Sequence, residues 1–430
     1  MKVLRYWDKK DKEDIKSIIK RDFLSSVTPD LISKVSEIIK EVRECGDKAL
    51  FKYADLYDRV ELNRENVKVK EKEFLNAQEH IEDKFYDSLV VAKKNIIEFH
   101  EKQKVNSWRE KKEENIILGQ LCSPIDKVGI YIPGGSAPLV STVLMTTIPA
   151  LVAGVNEIII CTPVGKKGIV NPYILASAEL LGIRNVYKVG GAQAIAALAY
   201  GTESIPGVDK IVGPGNIYVT IAKKLVYGKV SIDMIAGPSE ILILADESAK
   251  ANFVASDLLS QAEHDELSSS VLVTTSKALS QEVIKEISLQ KEKRTRKDII
   301  EISLQKNGTI ILVKNIEEGI DIVNNYAPEH LELCVKEPWK YLSGIKQAGA
   351  IFIGNYTPES VGDYIAGPSH VLPTAGSARF YSPLSVDDFI TKSSLIYYSK
   401  EALNKYKKDI TNIANLEGLD AHAYAVEVRS

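Results

Sequence analysis

From residue 120 onward the chain keeps one texture: short Val- and Ile-rich runs, each closed by Gly or Pro and followed by an apolar, Ala-rich helical pattern. Repeated strand-loop-helix units of roughly 25–30 residues return the chain to the same side each time, which is the signature of a parallel α/β sheet. The first series places strands at 127–132, 157–161, 186–189 and 210–212. A second series follows the turn Met234-Ile235-Ala236-Gly237-Pro238-Ser239-Glu240, with strands at 241–245, 270–275, 309–313, 331–335 and 350–353. A chain of 430 residues exceeds the roughly 250–300 that one core supports, so two such sheets agree with the length.

The flanking segments are less regular. Residues 1–25 read as a charged amphipathic arm, and 28–105 as helical, with Pro29 suited to a first turn and Gly46 to a C-terminal cap. The run Arg109-Glu110-Lys111-Lys112-Glu113-Glu114 reads as a solvated turn or edge. The hexapeptide Glu-Ile-Ser-Leu-Gln-Lys, at 286–291 and 301–306, marks two similar surface helices. A loop rich in Gly, Pro and Ser fills 354–383, and a loop this long in a compact domain is usually functional. The last 45 or so residues hold a short strand at 395–398, a charged helix and the stretch 417–422. That is too little for a core, so the tail is expected to pack on something else.

Composition excludes several classes. A net charge of −3 with dispersed basic residues gives no reason to expect a nucleic-acid partner. No apolar run approaches the roughly 20 residues of a membrane span, and the charged N-terminus lacks a signal-peptide core, so a cytoplasmic location is expected. Cys45, Cys122, Cys161 and Cys334 form no Cys-x-x-Cys pair, so a bound metal would need nitrogen and oxygen ligands. Cys161 invites comparison with the thiol nucleophile of aldehyde oxidation. No His or Arg lies near it in sequence to lower its pKa, so a packing role is expected.

Candidate chemistry concentrates in a few places. Three loops are glycine-rich: Ile132-Pro133-Gly134-Gly135-Ser136-Ala137-Pro138, Gly190-Gly191-Ala192-Gln193 and Gly213-Pro214-Gly215-Asn216. Glycine lets backbone amides at a helix N-terminus approach an anion such as a pyrophosphate, although tight turns also need glycine for steric reasons alone. Only six histidines occur, and four sit in polar, Gly- or Pro-punctuated stretches beside a carboxylate: His264, His330, His370 and His422. Gln261 and His264, three apart at a helix end, project from one face and can reach one cation. With Asp363 and His422 they make a plausible nitrogen and oxygen set for Zn²⁺, and Glu329-His330 sets a carboxylate beside an imidazole for acid–base work.

The motifs Val128-Gly129-Ile130-Tyr131-Ile132-Pro133-Gly134-Gly135, Gly190-Gly191-Ala192-Gln193-Ala194-Ile195, Val212-Gly213-Pro214-Gly215-Asn216, Ala236-Gly237-Pro238-Ser239-Glu240, Gln261-Ala262-Glu263-His264, Ala327-Pro328-Glu329-His330-Leu331 and Gly367-Pro368-Ser369-His370-Val371-Leu372-Pro373-Thr374 resemble those of the histidinol dehydrogenase family. They run in the family's order over roughly residues 25–425. Ala375 and Tyr381-Ser382-Pro383 depart from the family's pattern.

The resemblance implies NAD-linked, four-electron oxidation of L-histidinol to L-histidine through L-histidinal. One zinc would be held by Gln261, His264, Asp363 and His422. Ser239, His370 and Glu417 would help the zinc ligands and His330 hold the substrate, Tyr131, Gln193 and Asn216 would contact NAD, and Glu329 and His330 would be the acid–base pair. It also implies a homodimer whose tails complete each other's sites. The organisation expected is two Rossmann-like parallel-sheet domains with helical N-terminal elements and a small tail domain. The arm is 1–25, the first α/β domain 26–129 with 239–381, the second, NAD-binding domain 130–238, and the tail 382–430. Two other readings are a zinc hydrolase, disfavoured by the three glycine loops, and a two-lobed small-molecule binding protein.

Overall fold

The computed structural model describes residues 1–21, 27–113, 115–134, 139–165 and 168–429. Part of the first glycine loop, Gly135 to Pro138, lies outside them, as does Glu114. The chain is an α/β protein built on two parallel sheets. One has five strands in the spatial order Val186–Tyr187, Glu157–Cys161, Lys127–Tyr131, Lys210–Val212 and Ser231–Ile232. The other has six, in the order Lys2–Arg5, Gly308–Leu312, Ser269–Thr274, Glu240–Ala245, His330–Cys334 and Ala350–Ile353.

All nine expected strands are present, several displaced by one residue and one ending at Tyr187. In the second series four of the five ladders begin one residue early, which makes Glu240, Ser269 and His330 strand residues and not loop residues. The central strand is buried on both faces: Ile241, Leu242, Ile243 and Leu244 are fully enclosed, each contributing roughly 1.5–3 kcal/mol through its buried side chain.

Helices cover both faces of each sheet. Residues 35–62 pack with the helices Gly191–Tyr200 and Ile217–Val226 on one side of the five-stranded sheet, and residues 69–96 with Val140–Ala153 and Pro172–Leu180 on the other. The packing thus groups the N-terminal helices with the five-stranded sheet, where the expected division joins them to the six-stranded one. Their apolar stripes meet the Ala-rich faces of the helices after the glycine loops, and small side chains there allow close approach. The helix Pro29–Cys45 starts and stops as its sequence directs. Thr28 Oγ1 accepts from the Leu31 amide, and Gly46 takes φ +53° at the C-terminal end.

Three segments differ from the sequence reading, the first being 354–383, read as a loop, which holds the helix Glu359–Tyr364. Lys2–Arg5, read as part of an arm, adds a sixth parallel strand beside Gly308–Leu312 and buries Leu4. Ile390–Tyr398 is a nine-residue strand in an antiparallel sheet with Ile116–Pro124 and Trp108–Glu113. The charged run is therefore an edge strand, whose like-patterned Lys and Glu residues resist pairing with another chain. Beyond it the helices Lys400–Leu416 and Asp420–Glu427 pack on one another. Among the described residues no helix is long and apolar enough to cross a membrane.

Candidate active site

Glu329 and His330, the expected acid–base pair, lie where the helix Ile316–Tyr326 turns into the strand His330–Cys334. Ala327 closes the helix at φ +50°, its amide donating to the Val323 carbonyl at 2.7 Å, and Pro328 prevents the helix from continuing. Glu329 and His330 are thereby delivered, both buried, to the amino edge of the six-stranded sheet. His330 Nδ1 donates to the Glu240 carbonyl oxygen at 3.1 Å, which leaves Nε2 as the lone-pair nitrogen. That nitrogen has no hydrogen-bond partner and faces Asp363 Oδ1 at 3.8 Å. Burial lowers the His330 pKa to about 4, so the ring is neutral at neutral pH and free to accept a proton. Glu329 Oε2 accepts from the Glu240 amide at 2.8 Å, and burial raises its proton affinity well above that of an ordinary carboxylate.

Beside this pair stands a group of potential metal donors. Ligand atoms of His264, Glu359 and Asp363 all lie within 4.8 Å of one another. Gln261, on the last turn of the helix Ala251–Ala262, is buried with neither amide atom hydrogen-bonded, an arrangement that is costly unless something else satisfies it. Glu359 Oε1 accepts from Ser260 Oγ at 2.9 Å, whereas its buried Oε2 has no partner. Burial pushes the Asp363 pKa up to about 6; burial and then Asp363 itself push that of Glu359 well up. Crowded carboxyls, an imidazole, an unsatisfied amide oxygen and the negative end of a helix are the surroundings that a divalent cation neutralises. The donor set therefore fits a zinc ion, with oxygen and nitrogen ligands only.

His370 stands across a cavity of about 440 Å³ that His330, Asp363 and His370 line together with Ser369, Phe352 and Phe99. Its Nδ1 donates to the Asp363 carbonyl at 3.2 Å and its Nε2 accepts from Thr142 Oγ1 at 3.2 Å. Ser239 is half-buried, directly before Glu240. Glu417 and His422 are elsewhere: both are exposed on the tail, and neither lines this cavity.

The other candidate residues gather at the carboxyl ends of the five-stranded sheet. Tyr131 ends its strand, and its hydroxyl accepts from the Gly191 amide at 3.1 Å, tying two glycine loops together. Gln193 is buried with Nε2 unpartnered, while the exposed Asn216 caps the helix Ile217–Val226 by accepting from the Tyr218 and Val219 amides. Gly213 is held at φ +115°, and a Cβ there would fall 2.1 Å from the Tyr131 carbonyl oxygen. A buried ion pair grips the same residue: Asp233 accepts from the Gly213 amide at 2.8 Å and Lys223 donates to the Gly213 carbonyl at 2.9 Å. Cys161 is buried at a strand end, where burial raises its thiol pKa, in keeping with the packing role expected.

Sequence reasoning missed Glu359 and Glu240. Glu359 stands four residues before Asp363, one turn away on the same helical face, and that spacing was the available signal. Glu240 lay inside a quoted motif, but nothing in the sequence announced that its backbone serves both members of the acid–base pair.

The two parallel sheets, the glycine loops and the buried Glu329–His330 pair are those of an α/β oxidoreductase. The family model for histidinol dehydrogenase matches residues 24–430. The chain is 56% identical to the histidinol dehydrogenase of Caldanaerobacter subterraneus subsp. tengcongensis over 93% of each chain. It is 55% identical to that of Clostridium acetobutylicum, over 93% of this chain and 92% of the other. The crystal structure of histidinol dehydrogenase from Elizabethkingia anophelis superposes with a TM-score of 0.94 at 40% identity, covering 100% of this chain and 98% of that one. The chain belongs to the histidinol dehydrogenase family, oxidoreductases of histidine biosynthesis.

Proposed function

We propose that this protein oxidises L-histidinol through L-histidinal to L-histidine, with NAD as hydride acceptor and one zinc per subunit. The observation that carries this reading is the free, buried Nε2 of His330 facing Asp363 within the donor group. Zinc, when bound, would act chiefly as a template for the imidazole and amino nitrogens of histidinol, and NAD would take up the hydrides.

The remaining work belongs to the chain. His330 takes the alcohol proton at Nε2, because Nδ1 is committed to the Glu240 carbonyl. Glu329 takes the proton of the water that adds to the aldehyde, and its raised proton affinity makes it a stronger base than a solvated carboxylate. Gln261, His264 and Asp363 hold the metal, with His422 of the partner subunit as the fourth ligand. Ser239 and His370, with Glu417, hold the substrate, and Tyr131, Gln193 and Asn216 contact NAD.

The exposed tail supports a shared site in a homodimer. Leu416 is 90% exposed, with Ile413, Tyr424 and Val428 exposed beside it. Such an apolar face calls for a covering surface, and a twofold dimer would cover both tails alike. The domain division follows the same reading, with 130–238 holding NAD and 382–430 reaching the partner.

The deciding assay adds NAD and histidinol to zinc-loaded protein and follows NADH by near-ultraviolet absorbance. Two NADH for each histidinol consumed, with histidinal accepted as a second substrate, is the expected result. Absence of histidinol-dependent NADH would overturn the reading.

A further inference from the structure

Glu240 opens the central strand of the six-stranded sheet and is almost completely buried, yet no step above uses its side chain. Each of its polar groups is committed. The amide donates to Glu329 Oε2 at 2.8 Å, the carbonyl accepts from His330 Nδ1 at 3.1 Å, and carboxylate Oε1 accepts from the Glu329 amide at 3.2 Å. The carboxylate is in turn gripped by Arg21, whose Nε and Nη2 donate to its two oxygens. Arg21 is itself fixed: Nη1 donates to the Tyr326 carbonyl at 2.8 Å, and the guanidinium lies 3.3 Å above the Tyr326 ring.

A buried carboxylate with no countercharge is strongly unfavourable, and a second one, Glu329, stands beside it. A planar guanidinium meets this requirement with a two-pronged fork and a stacked face, which an ammonium group does not reproduce. We propose that Arg21 and Glu240 are positioning residues of the acid–base pair: Arg21 anchors Glu240, and the Glu240 backbone fixes the Glu329 carboxylate and leaves Nε2 of His330 as the free nitrogen. The inference rests on the reading that Glu329 and His330 carry the proton transfers. On its other side Glu240 pairs with Ser269 in the parallel ladder to the strand Ser269–Thr274, so the backbone that serves Glu329 and His330 is itself part of the sheet.

The test compares zinc-loaded wild type with Arg21→Ala, Arg21→Lys and Glu240→Gln. A misplacement on the ångström scale costs on the order of 10²-fold in rate, so Arg21→Ala is expected to lower kcat with histidinol by about that factor while KM for NAD and bound zinc stay unchanged. Arg21→Lys should recover little, and added methylguanidinium should restore part of the Arg21→Ala activity. Glu240→Gln keeps the shape and loses the charge, and should also lower kcat. A readout independent of substrate is the nitrogen NMR spectrum of histidine-labelled protein. His330 should carry its proton on Nδ1 in the wild type and as a tautomer mixture in Arg21→Ala.

An unchanged tautomer, a wild-type kcat in Arg21→Ala, or a joint loss of zinc, NAD affinity and rate would each overturn the proposal. A wild type inactive on histidinol would instead strike the functional reading, leaving the tautomer comparison to judge the positioning role.

Discussion

The two parallel sheets are used from opposite ends. In the five-stranded sheet the candidate residues follow the carboxyl ends of the strands, at Tyr131, Gly191–Gln193 and Gly213–Asn216, where the next helices begin. Helix N-termini carry partial positive charge and free amides, so that edge suits a pyrophosphate. In the six-stranded sheet Glu240, Glu329 and His330 stand at or just before the amino ends, and the helix Ala251–Ala262 arrives there with its C-terminus. Helix C-termini carry partial negative charge, so that edge suits a cation. One architecture thus presents two edges of opposite polarity, and the proposed division between nucleotide and metal would follow from which end of the helices each edge receives.

The largest effect expected at the cation edge is a separation of the two oxidations. General acid–base groups contribute about 10²–10⁴-fold, so His330→Asn should lose that much in histidinol oxidation and far less with histidinal, whereas Glu329→Gln should damage the aldehyde step more. Equal losses in both steps for both variants would break this division of labour. Initial rates with each substrate decide it.

A comparably large effect should appear on mixing subunits. His264→Ala and His422→Ala dimers should both be inactive. Refolding the two variants together at equal amounts should recover roughly a quarter of wild-type activity, because half the dimers are mixed and each has one intact site. No recovery, with mixed dimers demonstrated by a size tag on one variant, would place the tail in its own subunit's site.

At the nucleotide edge, Gly213→Ala puts a Cβ against the Tyr131 carbonyl at a φ that L-residues avoid. The strain is on the order of 1–2 kcal/mol, and KM for NAD should rise by about 10-fold or more with bound zinc unchanged. Glu359→Gln is the converse: it removes a carboxylate charge from the donor group, so zinc retention on dialysis should weaken by about 10–100-fold with NAD affinity intact. Either variant disturbing both ligands would mean that the two edges are not separate.

The smallest effect is read in stability and not in turnover, at a histidine whose partner Gln103 lines the candidate cavity. His100 is buried, with Nδ1 bonded to Gln103 Oε1 at 2.7 Å, and burial lowers its pKa. The unfolded chain takes up this proton below about pH 6.5, before the folded protein does. Its contribution is therefore full above that pH and is lost as pH falls toward the folded pKa. His100→Asn should lose less thermal stability than the wild type between pH 7 and 5, and identical losses would contradict the assignment.

Much of this was legible in the sequence, for reasons that differ by region. The strands of both parallel sheets are continuous apolar runs because they are buried on both faces, and such runs read directly. Gln261, His264, Glu329 and His330 stood out because an imidazole beside an amide or carboxylate is rare in a chain with six histidines. Of the antiparallel sheet the sequence yielded a short strand at 395–398 and a turn or edge at 109–114, but not their extent or pairing, because Trp108–Glu113 and Ile390–Tyr398 are mostly exposed and alternate weakly and pairing with Ile116–Pro124 decides their conformation. Lys2–Arg5 escaped for the same reason, as an edge strand with one buried residue. Glu240 was invisible because its role depends on a contact 89 residues away in the chain, to Glu329, whereas Glu359 offered only its spacing from Asp363, its contact to Ser260 lying 99 residues away.

The most direct test of the two-edge account removes the metal and measures NAD affinity by fluorescence titration alongside turnover. The proposed nucleotide residues Tyr131, Gln193 and Asn216 are distinct from the donor group of His264, Glu359 and Asp363 and from the unsatisfied Gln261. Chelation should therefore abolish histidinol oxidation and leave the Kd for NAD unchanged, and restored zinc should restore the rate. A metal-free protein that lost NAD affinity together with turnover would contradict the account.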